Sequence, residues 1–302
     1  MFEFSPVAAN PRKRPVTPAR IWAATRKIVL DAYGHFDSDD GWSMASHLAL
    51  SAILAMFPFL IFAAALGSFL GASAFADTAV HLAFDTWPEA IAEPIAQEAI
   101  NVLTVQRGDF LTVSVIAAAI FASNGVEALR VSLNRAYRVS ENRSFLYRRM
   151  QSFMFVCIAT IGIVVISTLL VVAPLVASFA EQRLVWIDPS MIGTLNLWRY
   201  IIAATVIVLS LMAVHFWLPA GKRKFIHVLP GIAFTLVAWI AGSTLFASYL
   251  ARFSTYVTTY AGLASIMVAI VFLYILSCIF ILGGELNASI RRYREARRRA
   301  DA

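Results

Sequence analysis

Six polar side chains stand inside or at the edges of long apolar runs: His47, Asn124, Glu127, His215, Glu285 and Asn287. Ionisable and amide groups are costly in a bilayer, so such positions are the first places to look for function. A carboxylate or imidazole there can carry protons, pair with a cation or hold a polar substrate. Near the headgroups the same groups merely cap or anchor helices. Ser51, Arg130, Asn134 and Arg135 lie beside them in sequence and complete a candidate polar cavity. Pro58, within an apolar run, removes a backbone hydrogen bond and is a candidate hinge. Gly283 and Gly284 are candidate hinge positions too, although close helix packing is the plainer use of a glycine pair.

Searches for catalysis return nothing comparable. No H-E-x-x-H, G-x-S-x-G or paired-carboxylate motif occurs, and Gly221-Lys222 lacks the upstream glycine of a phosphate loop. The two cysteines, Cys157 and Cys278, lie in apolar runs without a neighbouring His, which argues against a zinc site or a disulfide framework. The expectation is a protein that is not an enzyme and needs no cofactor or metal.

The elements that position these residues are set by hydropathy. Of 302 residues 60% are apolar and 14% charged, with mean hydropathy +0.73, too apolar for a soluble globule. A bilayer core needs about 20 apolar helical residues. Runs 48–70, 153–179, 200–218, 228–250 and 261–282 qualify without an internal charge, and 110–126 is a weaker sixth. Lys plus Arg alternate along the chain: six before Leu48, one in 72–109, six in 127–152, one in 180–197, three in 222–224, one in 251–260 and six after Leu282. That alternation requires 110–126 to cross, and it predicts an all-α, polytopic membrane protein with six transmembrane helices and both termini cytoplasmic. The net charge of +7 is accounted for by these flanks, so nucleic acid is not an expected partner.

Residues 1–44 read as a retained cytoplasmic arm, 45–289 as the membrane domain and 290–302 as an Arg-rich tail. In the arm, Ile21, Trp22, Ile28, Val29, Ala32, Tyr33 and Phe36 fall within an arc of roughly 140° at the helical period, with Lys27 and Asp31 opposite. Such a helix lies in the inner interface or packs on the bundle ends. The outer loop 72–109 holds six acids, among them Asp77, Asp85, Glu89, Glu93 and Glu98, and one amphipathic helix is expected near Ile91, Ile95, Ala99 and Val102. Arg291, Arg292, Arg294, Arg297, Arg298 and Arg299 should engage anionic lipid headgroups at the cytoplasmic face. The sequence leaves homo-oligomerisation open and names no substrate.

Four segments carry a family resemblance: Asp40-Gly41-Trp42 leading to Ser51 and Phe57-Pro58; Gly125-Val126-Glu127 through Leu133-Asn134-Arg135-Ala136-Tyr137; Tyr260-Ala261-Gly262; and Gly283-Gly284-Glu285-Leu286-Asn287-Ala288. In order and spacing the chain resembles the YihY/BrkB family of bacterial inner-membrane proteins from about Asp31 to Arg292. The resemblance implies six helices with both ends inside. It points to Ser51, Pro58, Glu127, Asn134, Arg135, Glu285 and Asn287 as candidate functional residues. Family members carry a ribonuclease BN label, or are linked to serum resistance or transport. The expected function is a non-ATP-driven transporter or lipid translocase with an inward-facing polar cavity. A structural or envelope-assembly protein is the alternative.

Overall fold

The computed structural model describes residues 18–69, 93, 96–97, 111–167, 189–252 and 254–300. Residues 1–17, nearly all of the loop 72–109 with its expected helix, and residues 168–179 of the third expected span lie outside this set. Within it run seven α-helices: α1 (Pro18–Ser38), α2 (Gly41–Phe69), α3 (Leu111–Ala136), α4 (Phe145–Ser167), α5 (Pro189–Trp217), α6 (Leu229–Arg252) and α7 (Ser254–Ala300). A single 3-10 turn, Phe225–His227, precedes α6. No strand occurs among the described residues.

Among the described residues, four segments are long and apolar enough to cross a membrane: Ile116–Ala136, Leu197–Trp217, Leu229–Arg252 and Ile266–Ala300. They contain or overlap the expected spans 110–126, 200–218, 228–250 and 261–282. The other two expected spans are helical over 48–69 and 153–167, as far as they are described. Large side chains on these helices face outward, among them Val237, Ile240 and Leu245, each about 70% exposed. An outward apolar surface is what lipid solvates and water does not. Pro58 falls inside the continuous α2; its side chain is outside the described set.

Helix α7 organises the bundle by touching α1, α2, α3 and α6. Its 47 residues span about 70 Å at 1.5 Å per residue, far beyond a core of about 30 Å. The Arg-rich segment therefore continues α7 as helix instead of forming a separate tail. Gly283 and Gly284 do not end the helix; they let neighbours in. A Cβ on Gly283 would collide with Thr235 and the Gly231 carbonyl on α6, and one on Gly284 would meet Ala136 at 3.1 Å on α3. The main core lies at this end, around Phe36, Leu133, Tyr137, Leu218, Phe280 and Ile281.

Helix α1 corrects one expectation. Asp31 does not oppose the packed face: it is buried beside Ala32 and Phe36 against α7. There it accepts hydrogen bonds from Ser289 at 2.7 Å and Arg292 at 2.5 Å, so its burial is compensated by partners. Ile21, Trp22, Val29 and Tyr33 remain exposed. The loop to α2 turns at Asp40, whose φ is 57°. A Cβ on the next residue, Gly41, would lie 2.5 Å from the Phe36 carbonyl oxygen and ring. Phe36 instead meets Trp42 edge-on, and Trp42 donates to Asp37 at 2.9 Å.

Candidate functional site

The ends of α3, α4, α5, α6 and α7 near the Arg-rich segment hold two polar networks. In the first, Glu127 of α3 takes Arg130, one turn on, and Arg148 of α4 at 3.2 Å. Arg130 is fully buried, its two terminal nitrogens paired and its Nε without a partner among the described residues. It also donates to the Arg148 carbonyl at 2.9 Å and to Ser152 at 2.9 Å. Gln151 passes the network on, because it accepts from Arg143 at 3.0 Å and donates to the Trp217 carbonyl at 2.7 Å. Arg143 grips Glu141 at 2.6 and 2.7 Å and reaches the Leu218 carbonyl at 2.9 Å. The orphan carbonyls at the end of α5 are thus closed by Arg143 of the α3–α4 connection and Gln151 of α4. Asn134 completes the strap, donating to Glu141 at 2.9 Å and accepting from the Ala220 amide at 2.7 Å. This Arg143 pair holds the Glu141 carboxyl down at about 2, against the opposing effect of burial.

The second network centres on α7. Asn287 accepts from the Gly231 amide at 2.7 Å and donates to the Val228 carbonyl at 3.0 Å, capping the start of α6 from another helix. Its amide also donates to Tyr137 at 3.1 Å, and the Tyr137 hydroxyl meets His215 Nδ1 at 3.0 Å. The Tyr137 oxygen thus links Asn287 to His215, whose Nε2 is buried without a partner among the described residues. Two residues before Asn287, about half a turn around α7, Glu285 is 1% exposed and accepts from Arg138 at 3.1 Å.

Arg138 occupies an unusual backbone position, with φ at 53°. It forms the left-handed cap of α3, where Val139 N bonds Asn134 O and Arg138 N bonds Arg135 O, both at 2.9 Å. Glycine normally fills that position, and a side chain there costs about 1–2 kcal/mol. The cap aims the chain so that Arg138 lies between Glu285 and, at 3.7 Å, Asp39.

Glu127 and Glu285, both read as members of one candidate polar cavity, do not share a partner. Among the described residues the ion pair of Arg130 is with Glu127, while Arg135, 45% exposed, reaches Asp40 at 3.5 Å. The separation follows from helical rotation: Arg130 and Arg135 are five residues apart, about 140° around α3, and so turn to different neighbours. His47 is exposed on α2 and outside both networks, and Ser51 is half-buried beside them. Asn124 is exposed and accepts from Arg149 at 2.8 Å. Of the tail arginines, Arg292 pairs with Asp31 and Arg291 with Glu295, while Arg294, Arg297, Arg298 and Arg299 are exposed. Sequence reasoning missed Tyr137, the last residue of the α3 motif, and Arg138, Glu141 and Arg143 just beyond it, as members.

Compared with known proteins, residues 32–302 match the family described as Virulence factor BrkB. The chain is 29% identical over 265 residues to a Bacillus subtilis (strain 168) protein named "Putative ribonuclease-like protein YfkH", covering 87% of this chain and 94% of that one. No solved structure matches. The apolar helices and the family match together make the chain an integral membrane protein.

Proposed function

Since the chain belongs to the virulence factor BrkB family, we propose that it is a bacterial inner-membrane transporter or lipid translocase that is not driven by ATP, with both termini in the cytoplasm. Its polar site lies at the cytoplasmic mouth, closed by the Arg138–Glu285 pair. The observation that carries this reading is a carboxylate, 1% exposed, just past the apolar run of α7 and held by an arginine in a strained backbone conformation at the cap of α3. Buried charge and backbone strain persist together where two arrangements are used. Asn287, Tyr137 and His215 extend the site, and Glu127 with Arg130 stiffens the neighbouring strap.

A second reading, a structural or envelope-assembly protein, is favoured by that same burial, because Glu285 has no open route to water. Glu285→Gln separates the two in a complementation assay. A transporter loses activity with normal abundance and insertion, whereas a clamp loses abundance or thermal stability. A variant both stable and active would show that Glu285 only caps the helix.

The proposal excludes ribonuclease activity, since the chain's motifs hold no acid/base or metal-ligating constellation. Purified chain should leave RNA intact. Cleavage that survives stringent purification and disappears on mutating one carboxylate of this chain would overturn that part.

A further inference from the structure

At the Arg-rich end a cavity of about 210 Å³ opens where the connection between α5 and α6 leans on α7. Lys222, Arg223, Lys224 and His227 line it from the connection, and Arg291 and Glu295 from α7. Its floor is Tyr137 and Asn287, the solvent-side end of the second network. Four permanent cations thus face one carboxylate, and that carboxylate, Glu295, is already shared with Arg291 at 3.8 Å. Lys222 and Lys224 are exposed, and no carboxylate pairs with either among the described residues.

The concavity is built rather than incidental. Gly221 turns the chain at φ 87°, a conformation that favours glycine. Arg223 is then fixed by the Pro219 carbonyl at 3.3 Å and the Ala220 carbonyl at 2.7 Å, with its guanidinium 4.2 Å above the Tyr137 ring. Burial, opposed by Tyr137 and aided by Arg291 and Arg143, lowers the Arg223 guanidinium to about 10. His227 is pushed down by burial and then by Arg294, Lys224, Arg291 and Arg298. Crowded like charges of this kind lack a counter-charge. The volume is below the roughly 300 Å³ at which drug-sized pockets begin, which suits a compact oxyanion.

We propose that this cavity binds a phosphate group, either free phosphate or the phosphate of an anionic lipid headgroup. The site stands for a carrier and for a scaffold alike. It also separates Arg291, which lines the cavity, from the four exposed arginines beyond it.

Two measurements on the full chain in neutral detergent test it, each comparing native protein with Lys222→Gln/Lys224→Gln/Arg291→Gln. The first is the melting shift on adding inorganic phosphate over chloride at matched ionic strength. The second is retention of phosphatidylglycerol against phosphatidylcholine in native mass spectrometry. A phosphate-specific shift lost in the variant assigns free phosphate. Retention of phosphatidylglycerol that falls by roughly tenfold in the variant, without a phosphate shift, assigns the headgroup. Arg297→Gln/Arg299→Gln, outside the cavity and not among the charges acting on His227, should behave as native. Absence of both effects in native protein, or equal loss in this control, would overturn the proposal. Should the triple variant not fold, Lys222→Gln alone must still weaken whichever effect is seen.

Discussion

The arginines of this end owe their order to carboxylates, and Glu141 is the clearest case. Its carboxyl is held down to about 2, first by the hydrogen bonds from Arg143, against burial, and then by Asn134. A depressed carboxylate stabilises the fold fully above its unfolded value near 4.5, and that contribution is lost as pH falls toward about 2. The melting temperature of the purified chain should therefore decline between pH 4.5 and the acid limit, and Glu141→Gln should remove this component while lowering stability at pH 7. An unchanged acid profile in Glu141→Gln would show that the Arg143 grip contributes nothing. No sequence pattern announced this pair, because residues two apart do not face each other on a helix. They meet only because the chain has left α3 at Arg138.

Helix contacts divide along the same line. That the six apolar runs are helical over their described residues, and that Gly283-Gly284 serves close approach, was legible because length and residue size are local properties. Which helices approach was not. Gly283 faces α6 and Gly284 faces α3, a choice made by rotation of α7. Asp31 was placed on the wrong side of α1 since its partner Ser289 lies 258 residues away. Glu285 found Arg138, a residue whose value depends on one left-handed dihedral. The two glycines should differ on substitution. A Cβ on Gly283 would meet the Gly231 carbonyl at 2.9 Å and crowd Thr235 as well, whereas one on Gly284 would meet only the flexible Leu133 side chain at 3.3 Å and Ala136 at 3.1 Å. Gly283→Ala should cost about 1–3 kcal/mol, read as a lower melting temperature in detergent, and Gly284→Ala less. Equal and negligible losses would mean the α6–α7 contact is not tight.

For the whole molecule, the family match agrees with the resemblance carried by the four motifs, and the charge alternation supplies the proposed orientation. The central claim is that the Arg138–Glu285 mouth opens toward the cytoplasm. Ser289, fully buried one turn beyond Glu285, reports on it when replaced by cysteine in a chain carrying Cys157→Ala and Cys278→Ala. In inside-out vesicles an impermeant maleimide should label Cys at this position slowly, and faster when Arg138→Gln is added; right-side-out vesicles should not be labelled. Labelling from the outside, or none from the inside in either background while the chain stays folded, would contradict the account.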